Sequence, residues 1–302
     1  MITYRNIKSK YILKQIIQNL SEKKYLEIIH YCKHIQNELE ISINDYKLFG
    51  QIEIELKINP NFCNNDKNIF INYDEKNKNL FHLYSPYNKI IPHNYITKNE
   101  NISNIKIIID YYVTNLSGLF KDCICIEEIN FIKFNRNNIT DISHMFNGCL
   151  NLVKLNINNF KTTNVTKMNN MFYYCESLQE INLKQFNTNN VVDMSFMFYN
   201  CKNIKQLNIS YLYTPKVADM SCMFGECAQL EQLDFNNNKF TTSNVLNMSG
   251  MFMGCNSLKE LDLTNFNTDK VTNMSWMFYK CLNLKELIIT NFNTNKTNDF
   301  YS

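Results

Sequence analysis

Glycine and proline are scarce, six and four residues in a chain of 302. Average usage would supply about 21 and 15. Turns resting on Gly and Pro are therefore excluded as the general solution, and another residue must supply the turn chemistry. An excess of one charge is also missing. Lys and Arg number 31 against 28 Asp and Glu, a net charge of +3. Residues 1–40 hold seven basic and four acidic residues, which is the whole excess, and the rest balances at 24 against 24. A neutral body of this kind excludes bulk electrostatic binding of nucleic acid. No apolar run reaches the length of a membrane span, so none is expected. The start, with Arg5, Lys8 and Lys10, is followed by an amphipathic stretch and not by an uninterrupted apolar core with a small-residue cleavage site, which predicts an intracellular, cytoplasmic protein. The motifs GxxxxGK[ST], HExxH and GxSxG are missing as well, so neither enzymatic activity nor a cofactor is expected.

Asn is what the chain has in abundance, with 51 copies. Asn tolerates left-handed backbone and bonds its own main chain, so it replaces Gly in turns. The apolar share of 45% is ample for a core. Of 11 cysteines, seven stand at 123, 149, 175, 201, 227, 255 and 281, five intervals of 26 residues and one of 28. A constant period marks a structural repeat, not a disulfide framework.

Counting back from each Cys fixes the register. Three residues before it stands Phe in every copy: Phe120, Phe146, Phe172, Phe198, Phe224, Phe252 and Phe278. Four before is Leu119, then Met from Met145 to Met277; ten before is Val or Ile; fifteen before is Phe134, Phe160, Phe186, Phe240 or Phe266, with Ile108 and Leu212 in the other copies. The unit reads LxxLxLxxFxTxxVxxMSxMFxxC. LxxLxL alternates at its end, which predicts a short strand with one buried face. The MFxxC block has apolar spacings of three and four, which predicts one helical or 3₁₀ turn. Ser precedes that block in six of seven copies, as at Ser143 and Ser195, and is expected to cap it. One unit cannot bury its own apolar column, but stacked units can. The long interval falls between Phe235 and Phe240, where a bulge is expected.

This unit resembles that of BspA-like leucine-rich repeat proteins, over residues of about 101–302. The resemblance implies a leucine-rich-repeat solenoid with parallel strands and short helical turns, and a non-catalytic binding or adhesion role. The missing leader departs from the family's surface proteins; export without a classical signal is the adhesin alternative.

Ahead of the repeats, residues 1–46 are expected to form a helical hairpin, from Ile12, Leu13, Ile16, Ile17 and Leu20 and then Leu26, Ile29, Cys32, Ile35 and Leu39. This stretch resembles an F-box without its Leu-Pro opening and following Trp. The resemblance implies a substrate adaptor that meets a ubiquitin-ligase linker protein through residues 1–45. Residues 47–100 are read as a small β-rich region, with strands over 51–58, 69–73, 80–84 and 90–96. The pattern past Cys281 thins out, predicting a degenerate C-terminal cap.

Candidate metal ligands are few. His30, Cys32 and His34 share a helix but lack further ligands. Cys123 and Cys125 form a close pair, but Cys123 belongs to the repeat column. The informative positions are the exposed ones on the strands. Asn130, Asn156, Asn182, Asn208, Asp234 and Asp262 alternate with Lys154, Glu180, Gln206, Gln232 and Glu260. They predict a continuous polar sheet face, where leucine-rich repeats meet protein partners. A second candidate is the turn position five before Cys, where His144, Phe196 and Trp276 stand; the other occupants are small or polar.

Overall fold

The computed structural model describes residues 47–297 except 49, 64–66 and 236–238. The expected hairpin over 1–46, with its F-box resemblance and His30, Cys32 and His34, lies outside the described residues. The chain divides into Met1–Gln51 and Ile52–Ser302, and every strand of the described residues lies in the second part.

The first of these strands is β1 (Ile52–Ile58), whose alternation IEIELKI buries every isoleucine and Leu56. A strand buried on one face needs partners on both edges, and β1 finds them in β5 (Asn104–Ile109) and β6 (Ile126–Phe134). Both pair with it antiparallel, Ile54 opposite Ile107 on one side and Phe131 on the other. With β3 (Phe81–Tyr84) and β7 (Lys154–Asn156) they form a sheet of order β3-β5-β1-β6-β7, in which β6 and β7 make the parallel pair. The expectation of parallel strands over 101–302 is corrected: there the strands are mixed, because β5 and β6 pair antiparallel with β1 while the strand pairs between repeats are parallel. β1 lies between two strands that run opposite to it, and β3 pairs antiparallel with β5, Leu83 opposite Ile107. Strands expected over 69–73 and 90–96 shrink to β2 (Asn68–Ile69) and β4 (Tyr95–Ile96), which pair with each other. Asn72 then covers the first repeat: its N–H donates to the Leu119 carbonyl at 2.7 Å, and its Nδ2 donates to those of Gly118 and Lys121 at 3.2 and 2.7 Å.

The repeats hold to one another chiefly along the MSxMFxxC segment. Bridges join Asn115, Asp141, Lys167, Asp193, Asp219, Asn247 and Asn273 in a parallel series. From each bridge the N–H groups of alternate residues donate to the next coil. Leu116, Gly118, Phe120 and Asp122 donate to the carbonyls of Asp141, Ser143, Met145 and Asn147 at 2.7–3.0 Å. The same four positions repeat down to Met248, Gly250, Phe252 and Gly254, which donate to Asn273, Ser275, Met277 and Tyr279. This corrects the expected helical turn. A helix would use those N–H groups within its own coil, whereas here they point along the stack. The segment is instead a chain of i to i+3 turns, as from Met145 to Ile142 and from Cys149 to Phe146. Each turn has a left-handed third residue, five and one before the Cys, with φ between 50° and 73°, as type II turns require. Ser is not the cap either. Asp or Asn two residues earlier accepts from the Ser N–H, and Ser143, Ser195, Ser221 and Ser275 also donate their hydroxyls to it at 2.5–2.7 Å.

Three side-chain columns lock the coils. The Phe column stacks from Phe120 to Phe278 with centroids 5.3–5.9 Å apart and rings within 13° of parallel. The Cys column uses its thiols: Cys149, Cys175, Cys201, Cys227, Cys255 and Cys281 each donate Sγ–H to the carbonyl of the column Phe one coil back, at 3.0–3.1 Å. The Thr of FxT is buried at Thr162, Thr188, Thr214, Thr242 and Thr268. Its hydroxyl donates to a carbonyl of the next coil at 2.6–3.0 Å. At Thr162 the same oxygen also accepts from the Asn187 N–H at 2.7 Å. Arg136 occupies the equivalent place near the first coil and reaches back to the Asp110 carbonyl at 2.9 Å. Thr162→Val keeps the shape but strands the Asn187 N–H and carbonyl. It is expected to cost about 1–3 kcal/mol, read as a lower urea midpoint.

On the opposite side the strands are short. β6 pairs with β7, β8 (Gln206–Asn208) with β9 (Gln232–Asp234), and β10 (Glu260–Asp262) with β11 (Glu286–Ile288). Residues 180–182 form no strand, so the expected continuous sheet face is broken into pairs. The 28-residue interval spans residues outside those described; its columns resume at buried Phe240, 5.8 Å from Phe266.

Candidate interaction surface

The residues expected on the strand face are all exposed or half-buried, because the period of two sends them away from the leucines. Pairing brings Asn130 beside Asn156, Gln206 beside Gln232, and Asn208 beside Asp234. Their chemistry then divides in two. Asn156, Asn182 and Asn208 each accept the N–H two residues on, from Asn158, Lys184 and Ser210 at 3.0–3.1 Å, and Asp262 does the same for Thr264 at 2.9 Å. These are Asx turns that end the strands. The Thr264 bonds also hold the Asp262 carboxyl below its ordinary range. The Asn column is therefore part of the fold as well as the surface, a role that the alternation does not reveal. Asn156 donates to Asn130 at 2.8 Å, but Asn182 turns to Asn158 at 3.2 Å, consistent with the missing strand there.

The second set is freer. Glu180, Gln206, Gln232 and Glu260 are exposed and have no side-chain partner among the described residues. Lys154 is tied to Glu128 at 3.4 Å, and Glu128 to Lys57 at 3.0 Å. The hydrogen bond from Lys57, foremost, keeps the Glu128 carboxyl below its ordinary range. Glu55 and Lys57 on β1, in register with Asn130 and Glu128, extend the face beyond the repeats, and Lys106 on β5 joins Glu53 at 3.3 Å. Sequence reasoning misses these residues because the region before the repeats shows no period. Their only signal is the alternation of IEIELKI.

The turn side carries a local aromatic group, not a stripe. Tyr173, Tyr174, Phe196 and Tyr199 lie with centroids 4.6–6.1 Å apart. Burial, foremost, pushes the Tyr199 hydroxyl up to about 12. His144 stands apart, half-buried, with Asn147 at 3.1 Å, and burial lowers its pKa. Trp276 is 54% exposed on the last coil. The pair Cys123 and Cys125 is buried; the thiols donate to the carbonyls of Lys121 and Ile69 at 3.6 Å. Among the described residues, no three His, Cys, Asp or Glu side chains are grouped to hold a metal. Among those residues no helix is long and apolar enough to cross a membrane.

A family model described as "Mycoplasma protein of unknown function, DUF285" matches residues 114–238 and 207–302. The chain belongs to this family. The DUF285 match begins within the first coil and runs through the last, so it coincides with the stacked columns. A leucine-rich repeat protein from Bacteroides ovatus is among the similar solved structures, at 19% identity and a TM-score of 0.41. The similarity covers 59% of this chain and 41% of that one, so the DUF285 chain spans less than half of that protein's length. No curated protein matches.

Proposed function

We propose that this chain is a non-enzymatic BspA-like leucine-rich-repeat solenoid that binds a protein partner along its strand face. The observation that carries the reading is the row Glu180, Gln206, Gln232 and Glu260. These side chains stand at equivalent positions of successive coils, exposed and without internal partners. The core columns and the Asn row have structural work; this row has none, and regularly spaced polar side chains suit an extended protein contact.

Proximity labelling in the native cell identifies the partner and its compartment, and purified variants then locate the contact. Glu180→Arg with Gln206→Arg places two bulky cations in adjacent coils while sparing the Asx turns. Stability should stay within about 0.5 kcal/mol, and affinity should fall by about tenfold or more. Lys121→Ala with Lys202→Ala, on the turn side, should bind normally. Normal binding by the strand-face variant, with loss in the turn-side variant, overturns the assignment.

A further inference from the structure

An aromatic ring stands on the turn after β3, where the fold has no use for one. The turn closes through the Ser85 N–H, which donates to the Lys89 carbonyl at 2.8 Å, and the Ser85 hydroxyl reaches the same oxygen at 3.2 Å. Its two middle residues, Tyr87 and Asn88, are left-handed, with φ of 70° and 58°. Asn suits that backbone, whereas a bulky side chain strains it. Tyr174 and Phe196 take similar angles in the repeats, but there the ladder imposes them: both N–H groups donate to the next coil at 2.8 Å, and both side chains are half-buried. Tyr87 lies outside the ladder and its side chain is wholly exposed. Asn or Gly would serve this turn better, so the ring is unexplained by stability.

The turn borders a cleft of about 320 Å³, at the small end of the range of ligand pockets, about 300–1,000 Å³. Its floor is the outer face of β1 and β5. Burial of Leu56 and Ile105 on the inner face leaves Glu55, Asn104 and Lys106 on the outer one, with Glu55 opposite Lys106. Tyr87 and Asn88 form a wall. The Glu55 carboxylate, the Asn88 amide and the Tyr87 hydroxyl have no side-chain partner among the described residues. Lys106 is joined to Glu53 at 3.3 Å, which leaves further donors on its ammonium. The open groups are therefore donors and acceptors together, beside a flat aromatic face. An anion would meet Glu55, and a cation would meet Lys106. Hydroxyl groups meet neither conflict, since each one both donates and accepts. We infer that this cleft binds a neutral pyranose unit. One C–H face of the sugar lies on the Tyr87 ring, neighbouring hydroxyls donate to the Glu55 carboxylate, and Lys106 and Asn88 donate to hydroxyl oxygens. The cleft adjoins the strand face through Glu55, but the inference does not rest on the protein contact proposed there.

The test is saturation-transfer NMR on the full chain. The probes are the methyl glycosides of glucose, galactose, mannose and N-acetylglucosamine, in both anomers, with the free sugars alongside. At least one should bind with a Kd of about 1 mM or tighter, and transfer should be strongest to the hydrogens of one sugar face. Tighter binding of a methyl anomer than of its free sugar marks the end of a glycan chain as the ligand, and the reverse marks a free sugar. Glu55→Gln should weaken binding about tenfold or more, and Tyr87→Asn, which removes the platform, by about as much. The urea midpoint of Tyr87→Asn should equal or exceed that of the unaltered chain, because Asn accepts the left-handed backbone. Glu180→Arg with Gln206→Arg should leave sugar binding unchanged. No transfer to any probe at about 10 mM, full binding by Tyr87→Asn, a lowered midpoint in that variant, or tighter binding of N-acetyl-arginine amide than of every sugar would each overturn the inference.

Discussion

Phe198→Ala is expected to cost about 3–5 kcal/mol, and Phe278→Ala distinctly less. Phe198 is fully buried, with Phe172 5.3 Å away on one side and Phe224 5.9 Å on the other. Truncation removes both stacking contacts and leaves a cavity walled by rings that cannot close over it, because each is held by its own coil's ladder. Phe278 has a single ring neighbour in the column, Phe252, and is half-buried. Its loss exposes little that was not already near solvent. The shape of the transition separates the two further. In a nearest-neighbour array a weak central interface uncouples the coils on either side, so Phe198→Ala should broaden the urea transition or split it. Phe278→Ala should fray the last coil and leave the rest sharp. Equal losses, or one unbroadened transition in both variants, would contradict column stacking as the principal link between coils.

The stacking was legible in the sequence because each column samples the same environment in successive coils. Seven cysteines at one period and seven phenylalanines three residues ahead of them leave one register open. The conformation between the columns was not legible from apolar spacing. Ile142, Met145, Phe146 and Cys149 are separated by three and one, which a helical turn and a series of tight turns satisfy equally. The distinguishing signal lay in residues without apolar character. Gly118, Asn170 and Gly250 stand five before Cys, and Gly148, Asn200 and Gly254 one before it; these are the types that accept a left-handed backbone. Phe196 and Trp276 take the same left-handed angle at the equivalent position, which masked the pattern. The interaction face divides likewise. Alternation placed Gln206 and Glu260 outward, but it carries no information on whether an outward Asn is free or closes an Asx turn, since both leave the side chain exposed. Strand length was not readable at all. Glu180–Asn182 has the same alternation as Gln206–Asn208, yet forms no ladder, and the structure offers no single residue that explains the difference.

Raising the pH should unfold the protein steeply, starting where free thiols ionise. Cys123, Cys149, Cys175, Cys201, Cys227 and Cys255 are buried, and burial is the foremost cause that pushes each thiol up, Cys227 to about 12 and the others also upward. Neighbouring thiols in the column add to the rise at Cys123, Cys175, Cys201 and Cys255. In an unfolded chain the same groups titrate at about 8.5. Above that pH the unfolded chain has released protons that the folded chain keeps, so it binds fewer, and stability falls as pH rises. Below it, the contribution is fully present. Each buried thiol then removes about 1.4 kcal/mol per pH unit, and six acting together approach about 8 kcal/mol per unit. Against a typical total of about 5–15 kcal/mol, one to two units above the thiol range should suffice. The urea midpoint should therefore be flat from pH of about 6 to 8 and collapse between about 9 and 10.5. Changing Cys175, Cys201 and Cys227 to Ala lowers the starting stability but should roughly halve the steepness, which separates thiol ionisation from a general loss of packing. A thiol reagent at neutral pH should modify the column slowly in the folded protein and completely after denaturation. Stability that declines by less than the equivalent of one proton per chain across this window, or a steepness unchanged in the triple variant, would show that the column is not buried as protonated thiols.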